Sequence, residues 1–259
     1  MGNVPSVSII GLGNVGRALC NAFKTAEVNV ESVFTKSDPV TETSRLGDVV
    51  LLTVRDDTLN DVIDELSRHA IDLSFKTVAH CSGVHTSGVL APLKSLGAQV
   101  ASFHPIMAVT DQTVSFEGIW FDVEGNSDAL HQLSVLAAQL NAQTFAVQPG
   151  AKPLLHAAAV TASNYMVALV YVASLVAEKG GISEEESIPA LLPLMEATLQ
   201  NMKNQPLPDA LTGPIARGDF KTVEKHLQLL ENNDGIQEVY TILGKFTAQL
   251  AGKDPDSFF

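Results

Sequence analysis

The chain has 259 residues, of which 46% are hydrophobic and 17% are charged, a composition typical of a folded globular protein rather than a disordered one. Its net charge of −13 argues against nucleic-acid binding, which needs clustered Lys and Arg on the protein surface. Because the two cysteines form no zinc-ligand pattern and no carboxylate cluster has metal-ligand spacing, we expect no metal site and a reducing, cytoplasmic location.

The first predicted elements enclose a glycine motif. An apolar run at residues 7–10 predicts a strand, residues 15–25 predict a helix, and Gly11-Leu12-Gly13-Asn14-Val15-Gly16 stand at their junction. This order of strand, G-x-G-x-x-G and helix indicates a dinucleotide site. Gly11 should make the tight turn, Gly13 should let the backbone approach a pyrophosphate, and Gly16 should let the helix pack on the strand.

Short β-branched runs alternate with helical stretches up to about residue 148, which predicts a mainly parallel sheet covered by helices. Further helices are expected at 58–69, 88–95 and 127–139. The remaining predicted strands are 28–34, 48–53, 77–80, 99–103, 120–124 and 141–147.

Beyond Gln148-Pro149-Gly150 the sequence shows no convincing strand. We therefore predict an α/β dinucleotide-binding domain at residues 1–149 and an all-helical domain at 150–259, with ligands bound in a cleft between them. The helical domain should provide part of the substrate site. Its helices are predicted at 152–179, 183–201, 220–230 and 235–251, with a Ser183/Glu186 capping box opening the second.

Residues 154–177 contain no Asp, Glu, Lys or Arg and could span a bilayer by length. The polar side chains in their first half would be costly against lipid. We therefore interpret this stretch as the central, buried helix of a helical domain, and expect no membrane partner.

The second predicted strand ends in Thr35, Lys36 and Ser37 without an acidic residue at its tip. An acid there would bind the ribose 2′-hydroxyl of NAD, whereas hydroxyls and a cation suit the 2′-phosphate of NADP. NADP(H) is therefore preferred over NAD(H), although Asp38, just beyond, keeps NAD open.

Three further strings carry a family resemblance: His104-Pro105, the run from His156 to Tyr165 (HAAAVTASNY), and the run from Leu211 to Asp219 (LTGPIARGD). Together with the glycine motif they resemble the Rossmann-like/DUF2520 family over essentially the whole chain. The resemblance implies a relative of ketopantoate reductases, pyrroline-carboxylate reductases and 6-phosphogluconate dehydrogenase. It implies an NADP-dependent oxidoreductase whose C-terminal helical domain dimerises. The chain departs from the family pattern at Arg55, where proline is common, and at Leu155, where tyrosine is usual.

In the related dehydrogenases the catalytic groups lie on the first helix of the helical domain. At 100° per residue, Lys152, His156 and Ser163 fall within about 40° of one another on that helix, with Asn164 on the flank. We predict His156 as the proton donor and Asn164 as a catalytic residue that orients substrate. Lys152 is predicted as an alternative acid or a carboxylate anchor, unless it is a solvated charge at the start of the helix.

Five further residue roles complete the predicted site. Arg55 and Ser82 follow the third and fourth strands and are expected at the cofactor, although turn formation would also explain Ser82. His104, at the carboxyl end of the fifth strand, and Ser163 are expected to contact substrate. Arg217 offers a fork for a substrate carboxylate, unless it pairs with Asp219 to brace its loop.

The sequence thus predicts an NADPH-dependent reductase of a small carbonyl or imino carboxylate, with ketopantoate as the first substrate to test, acting as a homodimer through the helical domain. Two alternatives stay open. One is a non-catalytic NADP-binding regulatory protein, and the other is an NADP oxidoreductase dependent on the deazaflavin F420.

Overall fold

The computed structural model describes residues 4–259. Contacts within the chain divide it into two compact units, the first ending at Ser163 and the second running from Asn164 to Phe259. The helix Lys152–Ala162 belongs by its contacts to the first unit. The functional boundary at residue 149 stays a prediction.

The first unit is built on one seven-stranded sheet, as predicted. Its strand order is β2-β1-β3-β4-β5-β6-β7, and every neighbouring pair is parallel except β5 and β6, which are antiparallel. The strands are β1 (Val7–Ile10), β2 (Val30–Phe34), β3 (Val49–Leu52), β4 (Thr77–His80), β5 (Gln99–Pro105), β6 (Trp120–Gly125) and β7 (Gln143–Ala146).

Helices cover both faces of this sheet because consecutive strand residues point to opposite sides. Leu51 lies in a core with residues of α1 and α4, whereas its neighbour Leu52 lies in a second core with residues of α2 and α3. The predicted helix at 88–95 is partly a 3-10 turn, since Pro92 at the start of α3 leaves only one short turn of α-helix. The helices of this unit are α1 (Asn14–Thr25), α2 (Asp56–Arg68), α3 (Ala91–Lys94), α4 (Ser127–Gln139) and α5 (Lys152–Ala162).

The second unit is helical throughout, as the sequence predicts. Its capping box is formed: the Glu186 carboxylate accepts hydrogen bonds from the backbone N–H and the hydroxyl of Ser183 at 3.2 and 2.9 Å. Two short helices, α8 and α9, lie where the sequence predicted only a loop. The helices are α6 (Asn164–Lys179), α7 (Glu184–Asn204), α8 (Leu207–Ala210), α9 (Pro214–Arg217), α10 (Phe220–Leu229) and α11 (Asp234–Leu250).

The long apolar stretch differs from its prediction in two ways. The single helix expected at 152–179 is interrupted at Ser163, which ends α5 before α6 begins at Asn164. Within residues 4–259, Pro149–Lys179 is the one helical stretch long and apolar enough to cross a membrane by length and composition, and only 6% of its most apolar window is buried. The predicted burial is therefore wrong for the chain by itself, because apolar side chains such as Val167 and Tyr171 are exposed.

Candidate functional site

The glycine loop between β1 and α1 has the geometry that its sequence predicts. Gly11 adopts a φ of +102°, where only glycine is unstrained. A Cβ atom on Gly16 would collide with the carbonyl oxygen of Gly11 and lie 2.5 Å from the hydroxyl of Thr53. A Cβ atom on Gly13 would meet nothing nearer than the carbonyl oxygen of Thr53 at 3.8 Å. The space beside Gly13 is therefore open to a ligand, while Gly16 provides the close packing between helix and strand.

The start of α1 suits a bound pyrophosphate. No side chain caps its first N–H groups, and its first turn contains no acidic residue. Uncapped N–H groups and the positive end of the helix dipole attract an anion. Arg17 holds the loop by donating to the carbonyl oxygen of Leu12 and to the side chain of Asn14 at 2.9 and 3.1 Å. This local structure fits a dinucleotide.

A second cation, Arg45, lies near the end of β2, where the sequence indicated only Lys36. The hydroxyls of Thr35 and Ser37 lie 2.9 Å apart in an exposed turn that includes Lys36. Both carboxylate oxygens of Asp38 accept hydrogen bonds from Arg45, at 3.0 and 2.7 Å. The hydrogen bond from Arg45 holds the pKa of Asp38 below its ordinary value. Asp38 is therefore an ion-paired carboxylate, and its negative charge at this edge is balanced.

A crevice of about 340 Å³ opens at the carboxyl ends of the parallel strands. Ligands bind at this edge in open α/β sheets. Val15 and Arg55 line the crevice on the side of the glycine loop, and Ser82, Gly83 and His104 line it after β4 and β5. Predicted cofactor and substrate residues from four separate segments thus share one cavity within the first unit.

Beside this crevice lies a buried ion pair that also holds a histidine. Asp122 on β6 is opposite His104 on β5 in the antiparallel register. One Asp122 oxygen accepts from Nδ1 of His104 at 2.6 Å, and the other accepts from Nζ of Lys152 at 2.5 Å. The side chains of Asp122 and Lys152 are 1% and 0% exposed. The interpretation of Lys152 as a solvated charge is therefore wrong, and its charge is balanced by Asp122.

The protonation of Asp122 follows from this arrangement. Burial by itself raises the pKa of its carboxyl, but hydrogen bonds from His104 and Lys152 outweigh burial and lower the pKa below the ordinary value. Asp122 is therefore ionised at neutral pH and can only accept hydrogen bonds. In neutral His104 the proton must then be on Nδ1, which leaves the lone pair on Nε2.

The side chains of His156 and His104 both approach Gly83. The two imidazole rings are 5.9 Å apart between centroids. A Cβ atom on Gly83 would lie 2.5 Å from Nδ1 of His156 and 2.8 Å from Nε2 of His104. Nδ1 of His156 is buried and has no hydrogen-bond partner in the described chain. Such an orphaned polar atom is costly unless a ligand or water completes it. The absence of a side chain on Gly83 is what lets both imidazoles pack against its backbone.

Two polar residues, the last of β4 and one just beyond it, form hydrogen bonds within the turn that follows the strand. Nε2 of His80 lies 3.0 Å from the carbonyl oxygen of Thr86, and its Nδ1 accepts from the backbone N–H of Ser82. Burial lowers the pKa of His80 to about 4, so this ring is neutral. The Ser82 hydroxyl accepts from the N–H groups of Val84 and His85. Turn formation thus accounts for the polar atoms of both side chains, although Ser82 still lines the crevice.

Near the crevice, burial raises the pKa of the Cys81 thiol to about 12. The thiol is therefore protonated at neutral pH, and Cys81 acts as a small buried hydrophobic residue.

The other predicted residues lie apart from the buried cluster or in the second unit. Arg55 is exposed and donates to Asp57 at 2.5 Å. Ser163 is the residue at which α5 ends, two turns beyond His156. Asn164 and Arg217 belong to the second unit and are exposed. Asp219 caps α10 through Thr222, and no ion pair joins it to Arg217 in the part of the chain that the structure describes.

Sequence reasoning missed Asp122 and Arg45. The signal for Asp122 was an acid inside the buried run Phe121–Glu124, because a charge in such a strand needs a partner. For Arg45 the signal was a cation seven residues beyond Asp38.

Family comparisons match the two parts of the chain. A Rossmann-like domain model matches residues 3–105, and the domain of unknown function DUF2520 matches residues 119–247. The chain consists of a Rossmann-like domain followed by a DUF2520 domain. This confirms the resemblance that the sequence motifs indicated. No curated protein sequence matches the chain.

Solved structures share this fold over nearly the full length. Protein TM1727 from Thermotoga maritima is 23% identical with a TM-score of 0.74, covering 95% of this chain and 98% of its own. An imine reductase from Pseudomonas sp. is 19% identical with a TM-score of 0.68, covering 99% of each chain. A reductive aminase from Aspergillus terreus, solved with NADPH and ethyl levulinate, is 13% identical with a TM-score of 0.64, covering 99% and 98%. The chain has the fold of these proteins.

Proposed function

We propose that the protein is an NADPH-dependent reductase of a small carbonyl or imino compound. One observation carries the proposal: the crevice that reaches the glycine loop is also lined by Gly83 and His104, and the unpartnered Nδ1 of His156 lies close to this glycine. When bound, reduced nicotinamide would supply a hydride to the substrate carbon. The residues of the chain then have to position the carbonyl oxygen or imino nitrogen and supply its proton.

The glycine loop and the start of α1 would hold the pyrophosphate, with Leu12, Asn14 and Val15 around it. Arg55 and Ser82 line the crevice and are proposed to contact the rest of the cofactor. His156 is proposed as the proton donor, because an imidazole transfers protons near neutral pH and its Nδ1 has no other partner. Lys152 is less suited to this role, since its ammonium is fully buried against Asp122.

The substrate is proposed to be a carboxylate, with ketopantoate as the first candidate. Arg217, Ser163 and Asn164 remain proposed substrate contacts, with Arg217 binding the carboxylate. The reductive aminase of the same fold was solved with NADPH and ethyl levulinate, which supports a small carbonyl or imino substrate. Cytoplasmic location and homodimerisation stay predictions. Exposed apolar side chains on α6, including Tyr165 and Leu169, favour a dimer through the helical domain.

Turnover tests this function directly. NADPH consumption should be measured with ketopantoate, a cyclic imine and cyclohexanone in turn, and at least one should be reduced. His156→Ala should lower kcat by about 10²–10⁴-fold, the usual range for a lost acid catalyst, while NADPH affinity stays unchanged. His131→Ala, which removes an exposed histidine of α4, is the matched control. Normal turnover by His156→Ala would exclude His156, and NADPH binding without any turnover would favour the regulatory alternative.

Cofactor preference is a separate prediction, and the ion pair between Arg45 and Asp38 supports NADPH. A 2′-phosphate near the tip of β2 would face balanced charge rather than a free carboxylate, with Lys36 close in sequence. An imine reductase variant from Myxococcus stipitatus with this fold was solved with NAD+, so the fold accepts either cofactor.

We expect the protein to bind NADPH at least about tenfold more tightly than NADH, as charge-assisted phosphate contacts provide. Arg45→Ala should reduce that ratio by about tenfold, because it exposes the charge of Asp38 to the phosphate. Lys24→Ala, an exposed cation at the end of α1, should leave the ratio unchanged. Titration calorimetry measures both affinities, and tighter binding of NADH would contradict the assignment.

A further inference from the structure

We propose that the site selects an imine, bound as the iminium or with an N–H group, over the corresponding ketone, and that Asp122 sets this selectivity by positioning His104. This inference rests on the proposed reductase function. It goes further by assigning opposite hydrogen-bonding roles to the two histidines above Gly83.

The role of His104 follows from its partners. Asp122 accepts from Nδ1 of His104 on one oxygen and from Lys152 on the other. A carboxylate with two donors in place has no hydrogen to give, so Nδ1 must carry the proton in the neutral ring. Nε2 of His104 is then the acceptor of a side chain that lines the crevice beside Gly83. The same logic lets a buried carboxylate fix a histidine tautomer in other enzymes.

An acceptor at this position distinguishes two substrate classes. A ketone oxygen also accepts, so it would face the lone pair of His104 without a hydrogen between them. An iminium N–H donates, and would complete the bond to Nε2. Nδ1 of His156, which has no partner in the described chain, can protonate a neutral imine to give that iminium when the ring enters the step as an imidazolium, and the ring is then left neutral.

The reaction then balances without a further proton donor. Hydride addition forms a C–H bond at the iminium carbon and moves the C=N π electrons onto nitrogen as a lone pair. The reduced nicotinamide is oxidised and the product is a neutral amine. Its N–H group still donates to Nε2 of His104 throughout.

Asp122→Asn tests this role because Lys152 fixes how the amide must lie. The buried ammonium only donates, so it takes the carbonyl oxygen of the new side chain and leaves the NH₂ group facing Nδ1 of His104. Nδ1 must then accept, and the proton moves to Nε2. The variant therefore converts the nitrogen that faces the substrate from an acceptor to a donor.

The first measurement is the tautomer itself. NMR of the full chain labelled with ¹⁵N-histidine distinguishes the two tautomers, and loss of a signal in His104→Phe assigns the ring. We expect the Nδ1–H form in the wild type and the Nε2–H form in Asp122→Asn. Glu124→Gln is the matched control, because this buried carboxylate is on the same strand and bonds Ser87 rather than His104. It should leave the wild-type tautomer unchanged.

The second measurement compares kcat/KM for tetrahydropyridine and cyclohexanone, an imine and a ketone of the same ring size. The wild type should favour the imine by at least about tenfold, the cost of leaving a buried acceptor facing an acceptor. Asp122→Asn should lower this ratio by about tenfold, and Glu124→Gln should not change it.

Three results would overturn the inference. An Nε2–H tautomer in the wild type does so without any turnover data, even if Asp122→Asn does not fold. Equal reduction of ketone and imine by the wild type overturns it while leaving the reductase function intact. If NADPH binds and neither compound nor ketopantoate is reduced, the inference falls together with the proposed function.

Discussion

The Gly83→Ala variant is expected to lose NADPH-dependent turnover by at least about a hundredfold, the cost of displacing reacting groups by about 1 Å. The added methyl group would lie 2.5 Å from Nδ1 of His156 and 2.8 Å from Nε2 of His104. His104 cannot easily move away, because its other nitrogen is held by buried Asp122 at 2.6 Å. The methyl group would therefore push the imidazoles of His156 and His104 away from their present positions, which displaces the groups proposed to bind and protonate the substrate.

Cofactor binding should survive this change, since the glycine loop after β1 is a separate segment of the crevice. Gly150→Ala is the matched control, because a Cβ atom there meets nothing within 4 Å. Steady-state kinetics of both variants measure the turnover, and titration with NADPH measures the cofactor affinity. Turnover by Gly83→Ala equal to that of Gly150→Ala would mean that the reaction does not depend on the present positions of His156 and His104.

Asp122→Ala is expected to lower the free energy of unfolding by about 3–5 kcal/mol, the usual cost of leaving a buried charge without its partner. The variant leaves the Lys152 ammonium without a partner, although this group is fully buried and bonds Asp122 at 2.5 Å in the wild type. Proteins of this kind are stable by only about 5–15 kcal/mol, so the variant should be close to unfolding. Urea denaturation measures the difference.

The exposed pair of Arg55 and Asp57 provides the comparison, because its contact has the same length. Asp57→Ala should cost less than about 1 kcal/mol, since solvent screens an exposed ion pair. Replacing both buried partners, as Asp122→Leu with Lys152→Met, should recover most of the stability lost in Asp122→Ala. A loss no larger than that of Asp57→Ala would contradict the buried ion pair.

The stability that Asp122 contributes should depend on pH in one direction. Although burial raises the pKa of its carboxyl, the hydrogen bonds from His104 and Lys152 lower it overall. Its folded pKa is therefore below the unfolded value of about 3.9, so the contribution is complete above that pH and is lost as pH falls through the folded pKa. The gap in stability between the wild type and Asp122→Ala should therefore narrow in acid.

Local features were predictable because each depends on neighbours in sequence. The glycine motif is read over six residues, and the conformations of Gly11 and Gly16 follow from it. The strands β1 and β4 were predicted to the residue, since each is a short, fully buried run whose β-branched side chains act within a few positions. The capping box of Ser183 and Glu186 is likewise local.

The chemistry of the site was less predictable, because its contacts join residues far apart in sequence. Asp122 meets His104 only because β6 runs antiparallel to β5, which the βαβ pattern did not indicate. Lys152 was predicted at the site from the helix face that it shares with His156. Its partner lies 30 residues away, so its burial could not be read from that face. The break at Ser163 also had no local signal, since no proline or glycine marks it.

Transfer of hydrogen from the cofactor to the substrate tests the central claim most directly. The protein should be incubated with NADPH carrying deuterium at the transferable position, together with ketopantoate, tetrahydropyridine or cyclohexanone, and the products analysed by mass spectrometry and NMR. The proposed function predicts a product with one deuterium on the former carbonyl or imine carbon, and almost none from His156→Ala. Bound NADPH that transfers no deuterium to any of the three would contradict it.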